Sequence, residues 1–168
     1  MKTIKTKDKN ELFMRMVYEI SNYSKDPKTR IGSVLVRDED VVSIGYNNFP
    51  RKVLDLDERY NNRELKHLFV AHSEFNAIIN AARKGAATLG CKLFTNGQPC
   101  SECMKAVINA GIDAIVIHKQ WPQFIHSEKW IKSNEISSIM LEESGIKLEV
   151  YDKELGITGF LDGKEIEI

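Results

Sequence analysis

From Glu11 to Tyr23 the apolar residues Leu12, Phe13, Met16, Val17 and Ile20 recur at helical spacing, which predicts an amphipathic helix. Ser24-Lys25-Asp26-Pro27 ends it, because proline cannot continue a helix. Ile31–Val36 reads as a buried strand, Arg37-Asp38-Glu39-Asp40 as a polar turn, and Val41–Tyr46 as a second strand. Residues 51–69 are charge-rich and have no clean period. They predict a loop with one helical turn near Arg63–His67. The helical pattern returns over Glu74–Lys84, with Phe75, Ile78, Ile79 and Ala82 on one side and Gly85 at the C-cap. A strand over Lys92–Thr95, a helix over Met104–Ala110 and a strand over Ala114–Ile117 follow. A helix over Trp130–Glu143 and a last strand over Ile146–Tyr151 complete the pattern. The order α-β-β-α-β-α-β-α-β predicts a three-layer α/β fold, a mixed five-stranded sheet between helices. One domain is expected over residues 1–168, with a core over about 10–151. Residues 152–168 predict a weakly ordered tail, or an arm that docks on a neighbour.

Composition narrows the class. The chain has 168 residues, 42% apolar and 29% charged, which is enough core material to exclude wholesale disorder. Lys+Arg 24 against Asp+Glu 24 gives a formal net charge of zero. A protein that coats DNA or RNA normally carries a basic excess, so no nucleic-acid polymer is expected as partner. Three cysteines, an odd and low count, argue against a disulfide framework and fit a reducing compartment. The polar N-terminus has no apolar segment behind it, and no apolar run approaches the roughly 20 residues of a spanning helix. A soluble, cytoplasmic protein without membrane partners is expected.

The chemistry sits in two short segments, His72-Ser73-Glu74 and Pro99-Cys100-Ser101-Glu102-Cys103. Cys100 and Cys103 are spaced so that one helical turn can bring both thiolates to one ion. Cys100 follows a proline at a predicted helix start, where the dipole favours the thiolate. With His72 there are three ligands, and three ligands with an open fourth position is the pattern of catalytic zinc. Glu74 lies two residues past His72, on a different azimuth, suited to handling protons rather than binding the ion. His-x-Glu followed by Pro-Cys-x-x-Cys is the signature of zinc deaminases, which hydrolyse the amino group from a base. The alternative, a structural zinc clip, needs a fourth ligand. Only Cys91 is left as a thiol, and it reads as a small buried apolar residue.

Longer segments carry a resemblance. Ser24-Lys25-Asp26-Pro27-Lys28-Thr29-Arg30-Ile31-Gly32, Gly45-Tyr46-Asn47-Asn48-Phe49-Pro50 and His72-Ser73-Glu74-Phe75-Asn76-Ala77-Ile78 resemble the deoxycytidylate (dCMP) deaminases of the cytidine deaminase superfamily. So does the stretch from Cys103 to Gly111-Ile112, and the match covers roughly residues 12–121. The resemblance implies a cytidine-deaminase-like fold and one zinc ion per chain, held by His72, Cys100 and Cys103. It implies Glu74 as the catalytic acid/base and a free nucleotide as substrate. It implies a homo-oligomer, a hexamer or dimer, with dCTP and dTTP as allosteric effectors. Asn47 would lie against the substrate, and Val70, Ala71, Ser73 and Asn76 would wall the pocket. Trp121 stands where phage members place a substrate-touching Tyr; interior packing is its other reading. Arg30 and the cations of Arg51–Lys66 are phosphate candidates.

Three departures from the family pattern stand out. Asn48 replaces a Gly linked to allosteric response, and Ser73 replaces an Ala. His118-Lys119-Gln120-Trp121 stands where many members have an Asp-Lys-Tyr-like segment.

The resemblance points to hydrolysis of dCMP to dUMP and ammonia, for thymidylate supply. The alternatives are a deaminase of another free base, nucleoside or nucleotide, a tRNA adenosine deaminase, and an idle zinc scaffold. Neutral charge weighs against the tRNA enzyme, and Glu74 weighs against the scaffold.

Overall fold

The computed structural model of the chain describes residues 8–122 and 128–168. Helix α1 (Lys9–Ser21) starts on Asp8, whose carboxylate accepts from Asn10 N, and buries Phe13, Met14, Val17 and Tyr18. Strands β1 (Gly32–Arg37) and β2 (Asp40–Tyr46) form an antiparallel hairpin. Two short helices follow, α2 (Asp57–Asn61) and α3 (Arg63–Phe69). Then come α4 (Ser73–Arg83), β3 (Lys92–Thr95), α5 (Ser101–Asn109), β4 (Ala114–His118), α6 (Glu128–Ser144) and β5 (Lys147–Tyr151). The sheet order is β2-β1-β3-β4-β5, with β1 antiparallel to both neighbours and β3, β4 and β5 mutually parallel. This is the mixed five-stranded sheet that the pattern predicts.

Strand alternation divides the core in two. Val34, Val36, Phe94 and Val116 pack with α1 on one face. Leu35, Leu93, Ile115 and Ile117 pack on the other with Ala77 and Ala81 of α4 and Met104 and Val107 of α5. Cys91 lies fully buried in this second cluster, as a small apolar residue. Gly45 allows α4 to sit directly on β2. A Cβ there would be 2.2 Å from the Ser73 carbonyl oxygen and 2.3 Å from Ala77 N.

Two segments differ from the sequence expectation. Residues 51–69 hold α2 and α3 rather than a loop with one turn, because tertiary contacts supply what periodicity lacks. Phe49 stacks on Tyr60 at 4.1 Å and packs on Phe69 at 5.5 Å, and the buried Lys66 Nζ pairs with Asp26 at 3.1 Å. Residues 152–168 are not a weakly ordered tail. They form a hairpin of β6 (Thr158–Leu161) and β7 (Lys164–Glu167) that packs on this chain's own core. Leu155, Leu161 and Ile168 are buried with Tyr18 and Trp121. Among the described residues, no helix is long and apolar enough to cross a membrane.

Candidate active site

The two signature segments meet at the N-termini of α4 and α5. His72 is the N-cap of α4 and Cys100 the N-cap of α5, and neither uses its side chain to cap. Their side chains are thus available to converge. Cys100 Sγ lies 3.3 Å and Cys103 Sγ 3.5 Å from His72 Nδ1, and the three ligand atoms all fall within 4.8 Å of one another. One imidazole nitrogen and two thiols, buried or half-buried, form a donor set suited to a tetrahedral N/S-binding ion such as zinc. The hydrogen bond with Cys103, assisted by His72, pushes the Cys100 thiol down to about 4 against the effect of burial. The Cys103 thiol is pushed up by the same bond and by burial. Cys100 is therefore the first of the pair to become a thiolate.

Glu74 occupies the first turn of α4 and is only 6% exposed. Burial pushes its carboxyl up, and the neighbouring His72 imidazole opposes that shift. It is not one of the three converging ligands. Ser73 Oγ donates to Glu74 Oε2 at 3.0 Å.

The cysteine turn is clamped by α6. Ser133 Oγ accepts from Ser101 N at 3.0 Å, Ser137 Oγ donates to the Pro99 carbonyl at 2.7 Å, and Gln98 Nε2 reaches Ser138 Oγ at 2.9 Å. Trp130, also on α6, stacks over the His72 ring with centroids 6.1 Å apart and planes 22° off parallel. Sequence reasoning missed Trp130, Ser133 and Ser137. The one available signal was the i, i+4 spacing of the two serines, which puts them on one helix face.

The remaining predicted residues take varied places. Asn47 is buried, with Oδ1 accepting from Ile31 N at 2.8 Å and Nδ2 donating to Thr29 O at 2.8 Å. Asn76 Nδ2 donates to Tyr46 O at 2.9 Å and Ala71 O at 3.2 Å. Both amides thus brace the backbone around the site. Val70 caps α3, and Ala71 is bridged to Asn48. Arg30 stacks on the Phe160 ring of the C-terminal hairpin at 4.3 Å, its buried Nε without a partner among the described residues. Trp121 lies in the interior, 2% exposed, its ring 6.0 Å from that of Tyr18. Lys66 is committed to Asp26, and Arg51 Nη2 donates to Asn80 Oδ1 at 3.0 Å.

A mixed α/β sheet that presents His/Cys/Cys at two helix N-termini, beside a buried carboxylate outside that set, defines a hydrolytic deaminase. Known proteins resemble this chain in sequence and fold. The sequence model of the cytidine and deoxycytidylate deaminase zinc-binding region matches residues 7–119. Human deoxycytidylate deaminase is 32% identical over 137 residues, 78% of this chain and 71% of its own length. An uncharacterized deaminase of Aliivibrio fischeri is 30% identical over 136 residues, 81% of this chain and 88% of its own. The crystal structure of the dCMP deaminase of cyanophage S-TIM5, in complex with dCMP and dUMP, shares the fold. Its TM-score is 0.66 at 19% identity, covering 88% of this chain and 100% of that one. The chain belongs to the cytidine and deoxycytidylate deaminase family.

Proposed function

We propose that this protein hydrolyses dCMP to dUMP and ammonia, with His72, Cys100 and Cys103 holding one zinc ion. The observation that carries the reading is the convergence of His72 Nδ1, Cys100 Sγ and Cys103 Sγ beside Glu74, a buried carboxylate left outside the set. The family match and the relatives that act on dCMP support the choice of substrate.

Zinc, when bound, supplies a Lewis acid that makes water nucleophilic near neutral pH. Glu74 does the proton work. It takes a proton from water as the oxygen bonds to C4 of the cytosine ring and passes it to ring N3; it then carries the second proton from that oxygen to the exocyclic nitrogen as the C4–N4 bond breaks. Water is consumed, ammonia leaves, and the ring becomes uracil. Burial suits Glu74 to this task, because a carboxyl pushed upward holds a proton more readily near neutral pH. Val70 and Ala71 wall the base pocket, Ser73 is fully buried behind it, and Asn47 and Asn76 shape it by holding the surrounding backbone. Arg30, at the edge of β1 with a buried N–H to spare, is the candidate for a phosphate contact. Trp121 is left out of the substrate contacts, because its ring is buried in the core against Tyr18.

The same reading makes the protein a cytoplasmic homo-oligomer that supplies dUMP for thymidylate synthesis, with dCTP and dTTP as the effectors to test. Exposed apolar side chains Ile44 of β2 and Phe75 and Ile79 of α4 offer an assembly surface. A panel assay decides the substrate: ammonia release from dCMP, dCTP, deoxycytidine, CMP and 5-substituted analogues, each with and without dCTP and dTTP. Highest kcat/KM on dCMP is expected. Turnover confined to another compound would replace dCMP as substrate.

A further inference from the structure

Helix α4 opens with two buried polar residues, Ser73 and Glu74. The Ser73 hydroxyl contacts more than Glu74. It lies 2.8 Å from Ser33 Oγ on β1, and Ser33 Oγ lies 3.1 Å from Thr95 Oγ1 on β3. Thr95 Oγ1 in turn lies 3.2 Å from the Gly32 carbonyl oxygen. Ser33, Ser73 and Thr95 are each 0% exposed. Ser33 and Thr95 are cross-strand partners, in step with Leu35 and Leu93 on the face that carries α4 and α5. A line of hydroxyls therefore runs from the Glu74 carboxylate to the middle of the sheet.

Buried hydroxyls cost free energy unless hydrogen-bonded, and small apolar residues would fill these positions without that cost. A lone serine beside a carboxylate has three staggered χ1 rotamers and a freely turning hydroxyl. The Ser33 contact limits that freedom at Ser73, and the Thr95 contact does the same at Ser33.

We propose that Ser33 and Thr95 are positioning residues that act through Ser73 to hold the Glu74 carboxylate at its working orientation. The inference rests on the reading of Glu74 as the proton carrier. Ser33 and Thr95 lie in the sheet behind Ser73, so their effect should appear in turnover rather than in substrate binding.

The test uses zinc-loaded protein and four variants: S33A, S73A, the double S33A/S73A, and T95V, which keeps the shape of Thr95 without its hydroxyl. Loss of one such hydrogen bond should lower kcat for dCMP roughly three- to tenfold in S33A, with KM and zinc content unchanged. The double variant should be no slower than S73A alone, because Ser33 acts only through Ser73. An unchanged kcat in S33A, or single effects that multiply in the double variant, would overturn the proposal. Should S33A fold poorly, T95V gives the same reading. A wild type that releases no ammonia from any cytosine nucleotide would refute the assigned function instead. In that event the crystal structure of S33A decides the positioning claim. Ser73 and Glu74 turned from their present rotamers supports it, and unchanged rotamers contradict it.

Discussion

Cys100 Sγ lies 3.3 Å from His72 Nδ1, although 28 residues separate them in sequence. Three polar side chains from two helix starts are held this close by the packing of α4 beside α5 and by the grip of α6 on the cysteine turn. The arrangement is most stable when an ion neutralises the thiolates. C100S and C103S should each lose bound zinc, measured as metal per chain after gel filtration. Their stability should fall by about 3 kcal/mol at a metal concentration some hundredfold above Kd. Full zinc retention in either variant would remove that thiol from the ligand set.

The buried His118 links stability to pH. Its Nδ1 meets Tyr18 Oη at 2.8 Å, its Nε2 meets Lys153 O at 2.9 Å, and burial pushes its pKa down. The folded state therefore prefers neutral imidazole. Above the unfolded value of about 6.5 neither state binds the proton, so there is no penalty. As pH falls below about 6.5 the unfolded chain takes up a proton that the folded chain refuses, and stability falls by up to about 1.4 kcal/mol per pH unit. Urea unfolding at pH 7.5, 6.5 and 5.5 should show this decline, and H118Q should show a smaller one over the same interval.

The C-terminal segment over residues 152–168 is part of the core, so its buried apolar residues should behave as core residues. Leu155 is 3% exposed and Leu68 is 82% exposed. L155A should cost about 2–4 kcal/mol in urea unfolding, whereas L68A should stay within about 0.5 kcal/mol. Equal effects would show that the segment over residues 152–168 does not contribute to the fold.

The main helices were legible from the helical spacing of their apolar residues, and the central strands from short apolar runs bounded by turn residues. The converging group of His72, Cys100 and Cys103 was legible because its two halves are contiguous motifs. Helices α2 and α3 were not, since five and seven residues cannot display a period. Their stability comes from Phe49, Tyr60 and Phe69, brought together only by folding. The C-terminal hairpin carried one readable signal, Asp162-Gly163, whose φ values of 52° and 77° are those of a tight hairpin turn. The short flanking strands and scattered apolar residues concealed it. Ser33 and Thr95 gave no signal, because only strand register sets them side by side.

Gly45 tests the placement of α4. G45A would put a methyl group against the Ser73 carbonyl oxygen and Ala77 N, pushing away the turn that carries Glu74. Misplacement of a catalytic group by about 1 Å can cost about a hundredfold in rate. A folded G45A should therefore keep its far-UV circular dichroism and lose most of its kcat. Wild-type kcat would show that α4 does not need this close approach.

The most direct test of the whole account is E74Q, prepared beside the wild type with zinc content and ammonia release from dCMP measured on the same samples. The variant should retain the wild-type zinc content and thermal midpoint while kcat falls at least about a hundredfold. Wild-type turnover by zinc-loaded E74Q would contradict the assignment of Glu74, and with it the mechanism.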